Sequence, residues 1–240
     1  MDNRAMILGV PIDKVTLDSA MDRIIDFFSK EGCAMVCTPN TEIVMAATRD
    51  KELLKVLSSS QLCVPDGIGL VYASKIHKLG LRERVAGVDL MKRLLNYAHD
   101  QGLSIYILGG KRDVARLACE NIKKEFPSIE ISGFHDGYFE KKDEESIIKQ
   151  INEKSPDILF VALGAPRQEK WIYNHKAVLK TKIAMGVGGS VDIWAGTAKR
   201  APVVFQRLGL EWFYRLLKEP WRYKRMLVLP KFMIRILLSK

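Results

Sequence analysis

The chain has 240 residues, 48% hydrophobic and 28% charged, with mean hydropathy near zero; this is the balance of a folded protein with a sizeable core and excludes a disordered or collagen-like chain. Four cysteines (Cys33, Cys37, Cys63, Cys119) without a Cys-x-x-Cys pair exclude a disulfide scaffold and read as free thiols. The formal net charge of +10 is uneven: residues 198–240 hold 11 Lys or Arg against Glu211 and Glu219, while residues 1–197 hold 27 basic and 26 acidic side chains.

Met1-Asp2-Asn3-Arg4 does not open a secretory signal, and no run of about 18 apolar residues occurs, so a cytoplasmic-type protein without a spanning helix is expected. From residue 5 onward, short apolar runs alternate with amphipathic stretches. Strands are predicted at 5–10, 34–38, 61–64, 104–108, 130–133, 158–163 and 182–187. Helices lie between them: 89–100 turns Leu90, Leu94, Leu95 and Ala98 inward, and 114–126 does the same with Val114, Leu117, Ala118, Ile122 and Phe126. This alternation predicts an α/β fold, a mostly parallel Rossmann-like sheet with helices on both faces. No internal repeat interrupts it, and a weak division falls at Gln101-Gly102. A catalytic body over 1–197 is followed by a basic helical appendage over 198–240.

In such sheets ligands gather at the carboxyl ends of the strands, and five of these ends carry Gly, Pro or small polar residues. Thr38-Pro39-Asn40 follows the second strand, where Asn40 either caps the next helix or meets a sugar hydroxyl. Asp66, in Pro65-Asp66-Gly67-Ile68-Gly69, is either a general base or the cap of the next helix, and spacing alone favours the cap. Arg84 reads as a surface charge or as a bidentate phosphate clamp. Gly109-Gly110 opens a helix, where backbone amides approach phosphate or simply make a tight turn. It lacks G-x-G-x-x-G and the P-loop pattern, and no acid ends the next strand, so NAD and ATP binding are not supported. Gly164-Ala165-Pro166-Arg167-Gln168-Glu169 begins another helix, which explains Glu169 better than Gln168. The cluster Gly186-Val187-Gly188-Gly189-Ser190 suits a phosphate or sugar somewhat better than a plain turn. The four histidines have no metal spacing, and no Asp-x-Asp occurs, so no metal cofactor is expected.

In the last segment a helix is predicted over about 203–217, stopped at Glu219-Pro220, and a second over about 221–229. The apolar run 226–238 is interrupted by Pro230, Lys231 and Arg235. Aromatic and aliphatic residues interleaved with Arg and Lys point to an anionic membrane surface rather than nucleic acid; packing on the sheet is the plain alternative. A homo-oligomer that hides the apolar tail is a further outcome that composition leaves open.

The ordered series Thr38-Pro39-Asn40, Val64-Pro65-Asp66-Gly67-Ile68-Gly69, Arg84-Val85-Ala86-Gly87-Val88-Asp89, Gly164 to Glu169, Gly186 to Ser190, Ala195 to Pro202, Gly209 to Leu216 and Glu219-Pro220 resembles the WecG/TagA/CpsF family of bacterial glycosyltransferases. Val191, where many members carry an aromatic, is the one departure. The resemblance covers nearly the whole chain. It implies an inverting, metal-independent transfer of an N-acetylhexosamine from a UDP-sugar to a polyprenyl-diphosphate-linked acceptor, on the inner face of the cell membrane. Its teichoic-acid branch implies N-acetylmannosamine as the sugar and N-acetylglucosamine-diphospho-undecaprenol as the acceptor. By the same resemblance Asp66 is the general base, and Thr38, Asn40, Arg84 and Gln168 line the sugar pocket. Gly109, Gly110, Gly188 and Gly189 are candidates for the nucleotide phosphates. Arg215, Arg222 and Arg225 would contact membrane or diphosphate.

Overall fold

The computed structural model describes residues 3–218, 220 and 223–239. The first apolar run does not enter the main sheet. The chain reverses at Leu8-Gly9, where φ is 49° and 86°, and folds into an antiparallel hairpin of β1 (Arg4–Ile7) and β2 (Val10–Asp13). The single strand expected at 5–10 is therefore corrected: a glycine that accepts positive φ closes a two-residue turn inside it. Asp13, 1% exposed, ends the hairpin and accepts from Arg4, Arg23 and the Cys63 amide.

After α1 (Leu17–Phe28), opened by a Thr16–Ser19 capping box, six strands form one parallel sheet. They are β3 (Ala34–Cys37), β4 (Leu62–Cys63), β5 (Ser104–Gly109), β6 (Glu130–His135), β7 (Ile158–Ala162) and β8 (Ile183–Gly186), in the spatial order β4-β3-β8-β7-β5-β6. Strands from both sides of Gln101-Gly102 share this sheet. β6 runs two residues beyond the expected 133, so Asp136 does follow its end; its carboxylate accepts from the Tyr138 amide.

Side chains alternate between two cores, as the period of a strand requires. Ile158 and Phe160 face α1, α5 (Gly87–Gln101), α6 (Val114–Glu125) and α9 (Ser190–Trp194). Leu159 and Val161 face the other layer, made of the hairpin, α2 (Thr41–Ala47), α3 (Lys51–Ser58), α4 (Ile68–Ile76), α7 (Glu144–Lys154) and α8 (Arg167–His175).

The last segment differs from expectation in two places. The helix expected over 203–217 is split into α10 (Val203–Arg207) and α11 (Glu211–Lys218) by Gly209, at φ +70°. A Cβ there would lie 2.9 Å from Ile68, so the chain crosses close over the start of α4. Of the helix expected over 221–229, residues 221 and 222 lie outside the described residues, and the rest falls in α12 (Tyr223–Met226) and the start of α13 (Val228–Leu238). Pro230 does not interrupt α13, because it occupies the first turn, where the backbone N–H has no intrahelical acceptor. α13 packs on α2 and α4 with Phe232 and Ile236 fully buried, and Ile236 O pairs with His77 Nε2 at 2.8 Å. The end of the appendage is thus part of the body's core.

Candidate active site

β3 and β4 lie side by side with Cys37 opposite Cys63, and their pairing continues past the sheet. Val64 N–H donates to Cys37 O at 2.9 Å, Asp66 N–H to Pro39 O at 3.1 Å, and Val85 N–H to Pro65 O at 2.9 Å. Thr38-Pro39-Asn40 and Pro65-Asp66 are thereby locked together at one corner of the sheet. This corner lies at the carboxyl end of the strands, the end at which open parallel sheets bind ligands.

Asp66 does not cap the helix that follows it, since the N-cap of α4 is Gly67, without a side-chain bond. Its Oδ1 instead accepts the Gly87 N–H, the first amide of α5, at 3.1 Å. A helix N-terminus favours this negative charge. The Asp66 side chain keeps 30% exposure, so substrate can reach it. Arg84 is not a surface charge. Its Nε donates to Asp66 O at 2.7 Å, and its Nη2 lies 3.8 Å from Asp66 Oδ1.

Thr38 Oγ1 donates to Gly186 O at 3.3 Å, which ties the end of β3 to the end of β8. Asn40 caps α2, its Oδ1 accepting from the Glu42 and Ile43 amides at 2.9 and 3.1 Å, so of its two readings the cap is the one with partners in place. Gln168, 4% exposed near the start of α8, is held at both ends of its amide. Its Oε1 accepts from Gly188 N–H at 3.1 Å, and its Nε2 donates to Glu169 Oε1 at 2.8 Å. A Cβ on Gly186 would sit 2.8 Å from Gln168 Nε2, so a side chain there would push the Gln168 amide out of these bonds.

Glu169 is more than helix-start chemistry. It is 1% exposed, burial pushes its carboxyl above the ordinary carboxylate range, and Oε2 has no hydrogen-bond partner among the described residues. Nothing in its local sequence signals this, because the burial comes from the packing of α8 on α3, β3, β7 and β8.

Gly109, at φ +123°, packs so tightly on β7 that a Cβ would fall 2.4 Å from the Ala162 backbone. The Gly110 amide donates to Ala162 O at 3.0 Å, as the Gly188 amide does to Gln168. Both amides are spent inside the fold, so these turns supply room for a ligand more than donors. Gly189 is the N-cap of α9.

Sequence reading missed a chain of ions at the mouth of the site. Glu211, the first residue of α11 and only 9% exposed, accepts from Arg84 Nη2 through Oε2 and from Arg200 Nε at 3.3 Å through Oε1. Arg200 in turn grips Asp89, in the first turn of α5, with two bonds of 2.5 and 2.7 Å. A clue existed: Glu211 is one of two acids among the last 43 residues. Arg222 lies outside the described residues, as do the side chains of Arg215 and Arg225.

In the last segment α10, α11 and α13 leave Val203, Val204, Leu208, Leu217, Ile234 and Leu238 exposed, at 58–79% each, and Lys199, Lys218 and Lys231 are exposed as well. Among the described residues no helix is long and apolar enough to cross a membrane, and no group of three or more His, Cys, Asp or Glu side chains is arranged to hold a metal. A cavity of 710 Å³ lined by Lys141, Glu144, Ile148 and His175 includes none of the site residues.

A six-stranded parallel sheet with an accessible carboxylate, an arginine and glycine turns at its carboxyl edge is a frame on which many enzymes are built, group-transfer enzymes among them. The model of the glycosyl transferase WecG/TagA/CpsF family matches residues 5–240, and the chain belongs to that family. It is a glycosyltransferase. A relative from Bacillus subtilis (strain 168) is 41% identical over 226 residues, 92% of this chain and 88% of the relative. One from Staphylococcus aureus (strain MRSA252) is 36% identical over 236 residues, 98% of this chain and 92% of the relative. Both bear the name N-acetylglucosaminyldiphosphoundecaprenol N-acetyl-beta-D-mannosaminyltransferase.

Proposed function

We propose that this chain transfers N-acetylmannosamine from UDP-N-acetylmannosamine to N-acetylglucosamine-diphospho-undecaprenol, the step that builds the linkage unit of wall teichoic acid, with inversion and without a metal. The acceptor and sugar follow from the names of the relatives. The observation that carries the chemistry is Asp66, whose carboxylate is exposed at the end of β4 with Oδ1 oriented by the first amide of α5.

In the proposed reaction the acceptor hydroxyl gives its proton to Asp66 as its oxygen attacks the anomeric carbon. The bond from that carbon to the UDP oxygen breaks from the opposite face, and UDP leaves with the electron pair. A single base suffices for such a displacement. The diphosphate then needs positive charge, which we assign to the arginines of the last segment, Arg215, Arg222 and Arg225, in place of a metal, while Arg84, bonded to Glu211 beside Asp66, stays on the acceptor's side. Gln168 and Thr38 shape the sugar pocket through the Gly186–Ser190 turn, and Gly109 and Gly110 leave room for the nucleotide.

The acceptor is lipid-linked, and the exposed aliphatic side chains of α10, α11 and α13 with their neighbouring lysines suit the anionic inner face of the cell membrane. Product formation from radiolabelled UDP-N-acetylmannosamine and a short-chain acceptor, in EDTA, tests the reading. Labelled product in EDTA is the expected result. Activity only with added Mg²⁺, or only with another UDP-N-acetylhexosamine, overturns the metal-free or the donor assignment respectively.

A further inference from the structure

Arg84 Nη2 stands between two carboxylates. It is bonded to Glu211 Oε2, yet lies only 3.8 Å from Asp66 Oδ1. Glu211 spends its other oxygen on Arg200, which Asp89 grips with two short bonds, so its carboxylate is pinned from both sides. Burying such a cluster costs desolvation that ion pairing seldom returns as stability, and many side chains would fill the space as well. Its position argues for a different use. An arginine side chain is long and flexible, and one bond through Nε leaves the guanidinium free to swing. A second bond, through Nη2, fixes its plane.

From this geometry we infer that Glu211 is a positioning residue: it holds the Arg84 guanidinium against the Asp66 loop and keeps it from closing onto the Asp66 carboxylate. Without the charge at residue 211, Asp66 is the nearest described carboxylate that Arg84 can take. A direct pair would bring the cation onto Asp66 Oδ1 beside the Gly87 amide and make the carboxylate a weaker proton acceptor. Because Glu211 belongs to α11, the setting of Arg84 is linked through Arg200 and Asp89 to the first turn of α5, whose leading amide orients Asp66. The kinetic consequence of this assignment rests on the reaction proposed above.

Two measurements test it. In turnover assays Glu211→Gln, which keeps shape and removes charge, lowers kcat about ten-fold and leaves the donor KM within about three-fold. In an Arg84→Ala background the same change has no further effect beyond about two-fold, since nothing remains to be positioned. Multiplying effects in the double variant, or a wild-type kcat in Glu211→Gln, overturn the inference. The second measurement needs no substrate. The Arg84 Nε–Hε signal in a ¹⁵N correlation spectrum, assigned by its loss in Arg84→Lys, is sharp in the wild type and broadens or shifts in Glu211→Gln. An unchanged signal overturns the inference. If wild-type turnover is absent while this signal change is present, the proposed reaction fails and the positioning of Arg84 by Glu211 stands.

Discussion

The strongest structural commitment concerns the last helix, which the basic composition of residues 198–240 alone would assign to a membrane. Phe232 has no exposed surface and packs between α2 and α4, with its ring edge close to Gly69. Truncating a fully buried phenylalanine costs the lost transfer free energy plus the cavity left behind, about 3–5 kcal/mol. α13 is the outer element of this contact and can partly relax, so the lower end, about 3 kcal/mol, applies to Phe232→Ala. For a chain of this size that corresponds to a fall in Tm of roughly 6–12 °C, and to a large share of a stability of about 5–15 kcal/mol. Thermal unfolding without lipid or detergent, joined to hydrogen exchange over residues 228–238, reads both the global and the local loss. A change below about 0.5 kcal/mol with unaltered exchange in α13 would refute the packing of this helix on the body.

Other outcomes follow from the same structure. Burial holds the Glu169 carboxyl above its ordinary value of 4.5, so the folded chain binds that proton more tightly than the unfolded one. Stability is therefore lost as pH rises from 4.5 through the raised value; Glu169→Gln, which can still accept from Gln168, removes this slope. The Tm advantage of wild type over the variant shrinks with pH across that window, and parallel curves would contradict the burial argument. Gly209→Ala places a Cβ 2.9 Å from Ile68 at φ +70°, costing about 1–2 kcal/mol and loosening α10 and α11, visible as faster proteolysis of that segment. Cys37 and Cys63 are fully buried and Cys119 nearly so; burial raises all three thiols, those of Cys63 and Cys119 to about 12, so a thiol reagent labels them only on unfolding.

The layers of the fold were legible because strand-length apolar runs end at Gly and Pro, and because 89–100 and 114–126 keep a helical stripe. All five strand ends that carry Gly, Pro or small polar residues lie on the carboxyl edge of one sheet. The hairpin was not legible, since Gly9 sits within a continuous apolar run and the turn depends on its pairing partner. For α13 the pair Phe232 and Ile236 has core spacing, but spacing cannot tell a protein face from a lipid face. For Asp66 spacing leaned to the cap of its own helix over a general base, and the side chain orients on α5 instead, a contact 21 residues away. The Arg84–Glu211 pair spans 127 residues. Such contacts follow from strand order and from where the last segment docks, which no local pattern encodes.

In the proposed metal-free sugar transfer Asp66 removes the acceptor's proton. Release of UDP from UDP-N-acetylmannosamine with a short-chain lipid-linked N-acetylglucosamine acceptor, in EDTA, compares wild type with Asp66→Asn most directly. Turnover in EDTA that falls by about 10²-fold or more in the variant, with donor KM little changed, is the predicted result. Asp66→Asn turning over at the wild-type rate would contradict it and leave Asp66 as only a partner of the α5 N-terminus.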